Sequence, residues 1–279
     1  PIQRSLYKHV LGISVCFEEA HQARGRVFRY RWQFSDRFGF IRECWLENTG
    51  DRTVDVALLD GLRNILPAGT PRFAQTNTSN LVDAYKWTEV DSETGLACFT
   101  LYSAITDRAE PAESLRANTV FSIGLDDATL LLGDTQLDAF RSGHGLSPER
   151  HTRGVRGDYL AATSLTLAPG ETRRWYFVCD VEQDQADVVA LRRRLNDTAA
   201  IKRALAEDVV AGNDSLARLM ASADAVQSAA EEPVAVHHYA NVLFNVLRGG
   251  IFDHHYDVST RDFRRSLKGF DRALVAQHA

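Results

Sequence analysis

"TRRWYFVCDVEQDQADVVALRRRL", Thr172 to Leu195, changes its rhythm halfway along. Its first ten residues, "TRRWYFVCDV", are an aromatic and aliphatic run of the kind that fills a buried strand. From Asp184 onward the apolar residues recur at three and four residue steps. Val188, Leu191 and Leu195, with Ile201 and Leu205 beyond them, fall on one side of a helix. This switch decides the fold class. Upstream the chain reads as strands and turns, downstream as helices.

Upstream, "GRVFRYRWQFSD" (25–36) alternates apolar with polar side chains, the period-two signature of a half-buried strand. "GFIRECWLENTGDRTVDVALLDGL" (39–62) holds two such runs around the turn "NTGD". "YKWTEVD", "LACFTLYSAI", "NTVFSIGL", "ATLLLGD" and "DYLAATSLTLAPGE" continue the series with no helical pattern between them. Many short strands at close spacing predict antiparallel sheets packed as a sandwich larger than an immunoglobulin domain. The stretch from Phe140 to Asp158, rich in Gly, Ser, Arg and His, reads as a long loop.

Downstream, "DSLARLMASADAVQSA" predicts a helix restarting after Gly212, with Asn213 or Asp214 as its N-cap. "EPVAVHHYANVLFNVLRG" predicts another, with Pro233 in its first turn and Gly249-Gly250 at its end. A last helix is expected to begin at Ser259 or Thr260, with Asp262 in its first turn. Residues 1–181 are therefore expected to form a β domain and 182–279 a helical segment.

The chain has 279 residues, 25% of them charged, and a formal net charge of -5, which disfavours nucleic acid and anionic membranes as partners. No apolar run approaches the roughly 20 residues of a membrane span. Cys16, Cys44, Cys98 and Cys179 are far apart and sit in strand-like stretches, so buried free thiols in a cytoplasmic protein are expected. No cofactor motif and no metal-ligand spacing is present. The sequence starts at Pro1 without a methionine and is expected to be part of a longer protein.

Histidines draw attention first as candidates for chemistry. His254 and His255 are adjacent, so a helix or a strand would aim them apart, and a connector between helices is the better reading. "TNTSNLVDAYKWTEVD" concentrates Asn77, Asn80, Tyr85 and Trp87, amides and aromatics that can hydrogen-bond to and stack on sugar rings. The plainer alternative has Tyr85 and Trp87, two apart on a strand, sharing a core-facing side. His144, Arg150 and Arg153 lie in the 140–158 stretch and are candidates for a basic loop bordering a partner domain.

Four segments taken together carry a resemblance: "FGFIRECWLENTGDRTVDVALLDGLRNILPAG", "NTSNLVDAYKWTEV", "ITDRAEPAESLRANTVFSIGL" and "NVLFNVLRGGIFDHHYDVSTRDFRRSLKGF". They resemble the N-terminal, non-catalytic part of large bacterial proteins related to cellobiose phosphorylases, within the glycoside phosphorylases and hydrolases that have an (α/α)6 barrel. The resemblance implies an antiparallel β-supersandwich, galactose mutarotase-like, followed by linker helices. It also implies that catalytic carboxylates belong to a barrel outside this chain, which would be its partner; related enzymes are often dimers through this region, so a homodimer is one candidate assembly. His254 and His255 would then lie in the linker. The implied function is accessory: supporting or bordering the catalytic barrel. A free-standing carbohydrate-binding module using Asn77 to Trp87 is the alternative. A mutarotase-type epimerase pairing His144 with Glu89 or Asp107 is a third reading.

Overall fold

The computed structural model describes residues 2–103, 115–249, 257–270 and 276. Among them the chain runs β1 (Ile2–Lys8), β2 (Val15–His21), β3 (Arg26–Ser35), β4 (Gly39–Asn48) and β5 (Val54–Ile65). Two short helices follow, α1 (Arg72–Asn77) and α2 (Ser79–Ala84), then β6 (Lys86–Val90), β7 (Ala97–Leu101), β8 (Ala117–Ile123) and β9 (Thr129–Leu131). Next come α3 (Leu137–Arg141), β10 (His151–Arg153), β11 (Gly157–Leu167) and β12 (Thr172–Gln183). The chain continues with α4 (Gln185–Arg194), α5 (Thr198–Ser222), α6 (Glu232–Leu247) and α7 (Thr260–Phe270). Antiparallel β sheets followed by helices is the order the change of rhythm predicts.

Two sheets form. Nine strands pair in the order β1-β2-β3-β4-β12-β8-β7-β6-β10, and three in the order β5-β11-β9. The period-two pattern of β12 explains how the larger sheet is buried. Trp175 and Phe177 face the smaller sheet with Cys44, Phe99, Val120 and Tyr159, while Val178 faces the other way with Ile41 and Phe121. That second face is covered by Leu191 of α4 and its C-cap Leu195, with Ile201, Leu205 and Val209 of α5. The stripe read from the sequence is therefore the helical layer over the sheet.

Local chemistry sets the element ends. Asp184 accepts from Asp187 N at 2.9 Å while Asp187 accepts from Asp184 N at 3.1 Å, a reciprocal box that starts α4. The helical run read from Asp184 through Leu205 is interrupted at Asn196-Asp197, where Asp197 Oδ1 accepts from Ala200 N at 2.8 Å and opens α5. The restart expected at Gly212 does not occur, and α5 passes through it to Ser222. A mid-helix glycine costs only about 1 kcal/mol. Interleaved helices, which the sequence reading did not expect, appear as α1, α2 and α3. The stretch 140–158, read as a loop, contains β10 paired to β6.

The chain divides into two compact units, one of Pro1–Lys8 and Ser14–Val210, the other of His9–Ile13 and Ala211–Ala279. In the second unit Met220, Ala223 and Ala225 pack with Tyr239 and Val242 of α6. There His238 Nε2 bonds the Asp224 carbonyl at 2.8 Å, which gives that histidine a structural role.

Between the sheets lies one buried ion pair. Asp60 of β5 accepts from Arg42 Nη1 at 2.8 Å and from Trp175 Nε1 at 2.8 Å, and the Arg42 guanidinium lies 4.5 Å from the Tyr30 ring centroid. Next to it, Gly61 is required by contact: a Cβ there would stand 2.0 Å from the Tyr159 carbonyl oxygen. The Asp60→Ala variant should lose on the order of 3–5 kcal/mol, because Arg42 stays buried without its counter-charge and Trp175 without an acceptor. Urea unfolding measures this. A loss under about 1 kcal/mol, the worth of an exposed pair, would show that water takes the carboxylate's place.

Candidate functional site

The most distinctive surface sits where the nine-stranded sheet ends in β7, β6 and β10. Alternation along β6 sends Lys86 and Thr88 inward, 3% and 2% exposed, and leaves Trp87 and Glu89 on the outer face. β10 pairs with β6 so that Arg153 is opposite Trp87 and His151 opposite Glu89. Val90 N to the Arg150 carbonyl at 3.0 Å and Gly154 N to the Lys86 carbonyl at 3.1 Å bracket this short ladder. The turn from β6 to β7 is closed by Gly95 N bonding the Asp91 carbonyl at 2.8 Å, with Gly95 at a φ of 71° that favours glycine.

Trp87 is the centre of an aromatic row. Thr100 and Arg153 are its direct cross-strand neighbours, so Tyr102 and His151 reach it diagonally across three strands. Both rings have centroids 6.4 Å from that of Trp87, with planes 21° and 24° from it. The Arg153 guanidinium lies 3.5 Å from the indole centroid, and Trp87 Nε1 donates to Glu89 Oε2 at 3.4 Å.

Helix α4 makes the wall. Val188 and Arg192 project beside the row, enclosing a hollow of 440 Å³ with Trp87, Glu89, Arg150 and Arg153. A second hollow of 370 Å³ adjoins it and shares Glu89, Cys98 and Val188. Arg192 Nε donates to Asp91 Oδ2 at 2.9 Å, and its Nη2 pairs with Glu93. Burial alone would raise the Asp91 carboxyl, but hydrogen bonds from Thr94 and Arg192 and the guanidinium charge hold it below the ordinary carboxylate value. Burial, with the charges of Glu89 and Asp91, pushes the Cys98 thiol up to about 11. Cys98 is therefore a neutral thiol near pH 7 and a poor nucleophile.

Of the residues singled out in the sequence, the groove unites Trp87, Glu89, Arg150 and Arg153, with Cys98 beside them. Asn77, Asn80, Tyr85 and His144 do not line it. Asn77 ends α1, where its Nδ2 donates to the Phe73 carbonyl at 2.9 Å, and Asn80 is exposed on α2. Tyr85 is the C-cap of α2, with its carbonyl accepting from Tyr102 N at 2.7 Å, and Trp87 lies on the outer face of β6 and not on a core-facing side. The sequence pairing of His144 with Glu89 does not form either: His144 is exposed in the turn after α3, where its N–H bonds the Ala139 carbonyl at 2.9 Å. His254, His255 and Asp107 lie outside the described residues.

Sequence reasoning missed His151, Tyr102, Asp91 and Arg192. The alternation "RHTR" at 150–153 is the signal that could have placed His151 and Arg153 on one face. Among the described residues no group of three or more His, Cys, Asp or Glu could hold a metal ion, and no helix is long and apolar enough to cross a membrane.

No protein-family model matches the chain, and no curated protein matches it. Three solved structures show a low similarity. Heparinase III, the BT4657 gene product, is 8% identical over 67% of this chain, with a TM-score of 0.31, and the match spans 22% of heparinase III. The Slr1438 protein from Synechocystis is 11% identical over 66% of each chain, with a TM-score of 0.32. A TPR-domain containing protein from Parabacteroides distasonis is 9% identical over 64% of this chain and 34% of its own, with a TM-score of 0.25.

The depressed Asp91 carboxyl gives a pH test with a definite sign. A lowered folded-state value stabilises the fold above the unfolded value, about 3.9, and that stability disappears as pH falls through the folded one. The Tm gap between wild type and Asp91→Asn should therefore hold steady from about pH 7 to pH 5 and close below about pH 4. A gap that is unchanged in acid would mean Asp91 contributes through packing rather than charge.

Proposed function

We propose that this chain is an accessory module of a carbohydrate-active enzyme of the glycoside phosphorylase type, and that the groove around Trp87 is where it touches saccharide. The observation that carries the reading is the diagonal row of Tyr102, Trp87 and His151 set between arginines and carboxylates. Flat ring faces suit the C–H faces of pyranose rings, and Arg150, Arg153 and Glu89 supply donors and an acceptor for hydroxyls. Tyr102 is 76% exposed and so available for contact. The four segments resembling the non-catalytic part of cellobiose phosphorylase-related proteins support the accessory role, with a helical (α/α)6 barrel as the catalytic partner.

The groove's chemistry favours holding a ligand over transforming it. Asp91 is committed to Arg192 and Thr94, and Cys98 keeps its proton. A free-standing binding module would use the same groove, so the test below applies to either setting.

Titration calorimetry of the chain with neutral oligosaccharides, cellotetraose among them, should give saturable binding. Trp87→Ala should weaken it about tenfold, which corresponds to ~1.4 kcal/mol and lies at the upper end for one aromatic contact. The variant's Tm should stay close to wild type, since Trp87 lies on the outer face of β6, next to the end of the sheet. Equal affinity in wild type and Trp87→Ala would remove the groove from the account.

A further inference from the structure

The residue of β10 that turns away from the groove points to a second site. Thr152 pairs with Thr88 on the inner side of the sheet and lines a cavity of 450 Å³. Its Oγ1 is buried and makes no hydrogen bond among the described residues. The cavity's other walls come from the end of β5 (Arg63, Asn64), the turn after β9 (Gly133 to Thr135), Asp83 of α2, and Arg156 and Asp158.

Its frame is firmly held. Asp158, 2% exposed, accepts from Asn64 N at 2.8 Å and from Arg63 Nε at 3.1 Å. Those bonds keep Asn64 at a φ of 56°, a left-handed backbone that side chains other than glycine rarely adopt. Glu149 accepts from Leu132 N at 2.7 Å and Gly133 N at 3.0 Å, fixing the turn after β9. What stays open toward the cavity is polar. Arg63 reaches past Asp158 to Asp134 at 2.8 Å, and Arg156 meets Asp83 Oδ2 only at 3.6 Å, while Lys86 bonds Asp83 Oδ1 at 2.7 Å.

We infer that this cavity binds one neutral polyhydroxylated ring, the size of a single hexose. The lining holds four carboxylates, Asp83, Asp134, Glu149 and Asp158, against two guanidiniums, so an anion is repelled. Among the described residues no aromatic one lines it, so a ligand is gripped by hydrogen bonds at its edges and not by stacking along a chain. Guanidinium donors beside carboxylate acceptors match vicinal hydroxyls, which give and accept at once. The volume sits at the small end of ligand clefts, roughly 300–1,000 Å³. This site is separate from the Trp87 groove and stands or falls independently of it.

The test is an NMR titration of the ¹⁵N-labelled chain with glucose, galactose, mannose and myo-inositol, each at millimolar concentration, with inorganic phosphate as the anionic probe. The expected result is saturable shifts of the Gly133, Thr135 and Gly154 amides by at least one neutral ring. Affinity should fall about tenfold in Arg156→Gln and also drop in Thr152→Val, while Trp87→Ala leaves it unchanged. Arg156 is exposed, so its variant separates ligand loss from unfolding. Absence of saturable shifts with all four rings would overturn the inference. So would binding that ignores both Arg156→Gln and Thr152→Val, or saturation of these amides by phosphate instead.

Discussion

The contact on which the architecture depends is the packing of one side of α4 and the first half of α5 onto the outer face of the nine-stranded sheet. Leu191, Leu195, Ile201, Leu205 and Val209 cover Ile41, Phe121, Ile123 and Val178, so the central strands β4, β12 and β8 are buried on both faces. A strand buried on both faces is apolar on both sides, which is why β12 reads "WYFVC" at its centre. The helices are too short to cover nine strands. Where α4 stops shielding, at Val188 and Arg192, the outer face of β6, β7 and β10 is left to solvent. The groove is the uncovered end of a sheet whose middle is closed.

Charge follows the same division. In the middle, Arg42 and Asp60 are held in partnership with each other and with Trp175, because an unpaired charge there is costly. Toward the open end the pairs loosen. Arg192 still closes on Asp91, but Arg153 rests on an indole and Glu89 meets only a 3.4 Å donor from Trp87. Groups with spare hydrogen-bonding capacity thus collect where a ligand could use it.

How much of this was legible depends on the range of the signal. The switch from strand to helix at Asp184 and the apolar stripe from Val188 to Leu205 were visible because both are local periodicities, and they set the architecture. Pro233 and Asp262 likewise marked the starts of α6 and α7. The break at Asn196-Asp197 was missed because apolar spacing runs straight across it, and only a side-chain cap reveals it. In the candidate site, Trp87, Arg150 and Arg153 were noticed for their chemistry but assigned to two different features. What unites them is the pairing of β10 with β6, a contact across some sixty residues that no window of sequence carries. Asn77, Asn80 and Tyr85 were grouped with Trp87 by proximity along the chain, but Asn77 ends α1, Asn80 lies on α2 and Tyr85 caps it, and of the four only Trp87 is carried on β6.

Strand β10 shows how a sheet edge can be made safe and useful together. An open edge invites pairing with another chain, and short, charged edge strands discourage it. β10 is three residues long, preceded by Arg150 and ended by Arg153, so little ladder is on offer. The opposite edge, β1, is seven residues long and carries Arg4 and Lys8 instead. Alternation then does the rest at β10. His151 and Arg153 face the groove while Thr152 faces the polar cavity. A shift of register by one residue would exchange them, placing a histidine against Thr88, an arginine against Lys86 and a lone threonine beside Trp87. The bonds from Val90 and Gly154 that pin this short ladder therefore also fix which chemistry each face presents.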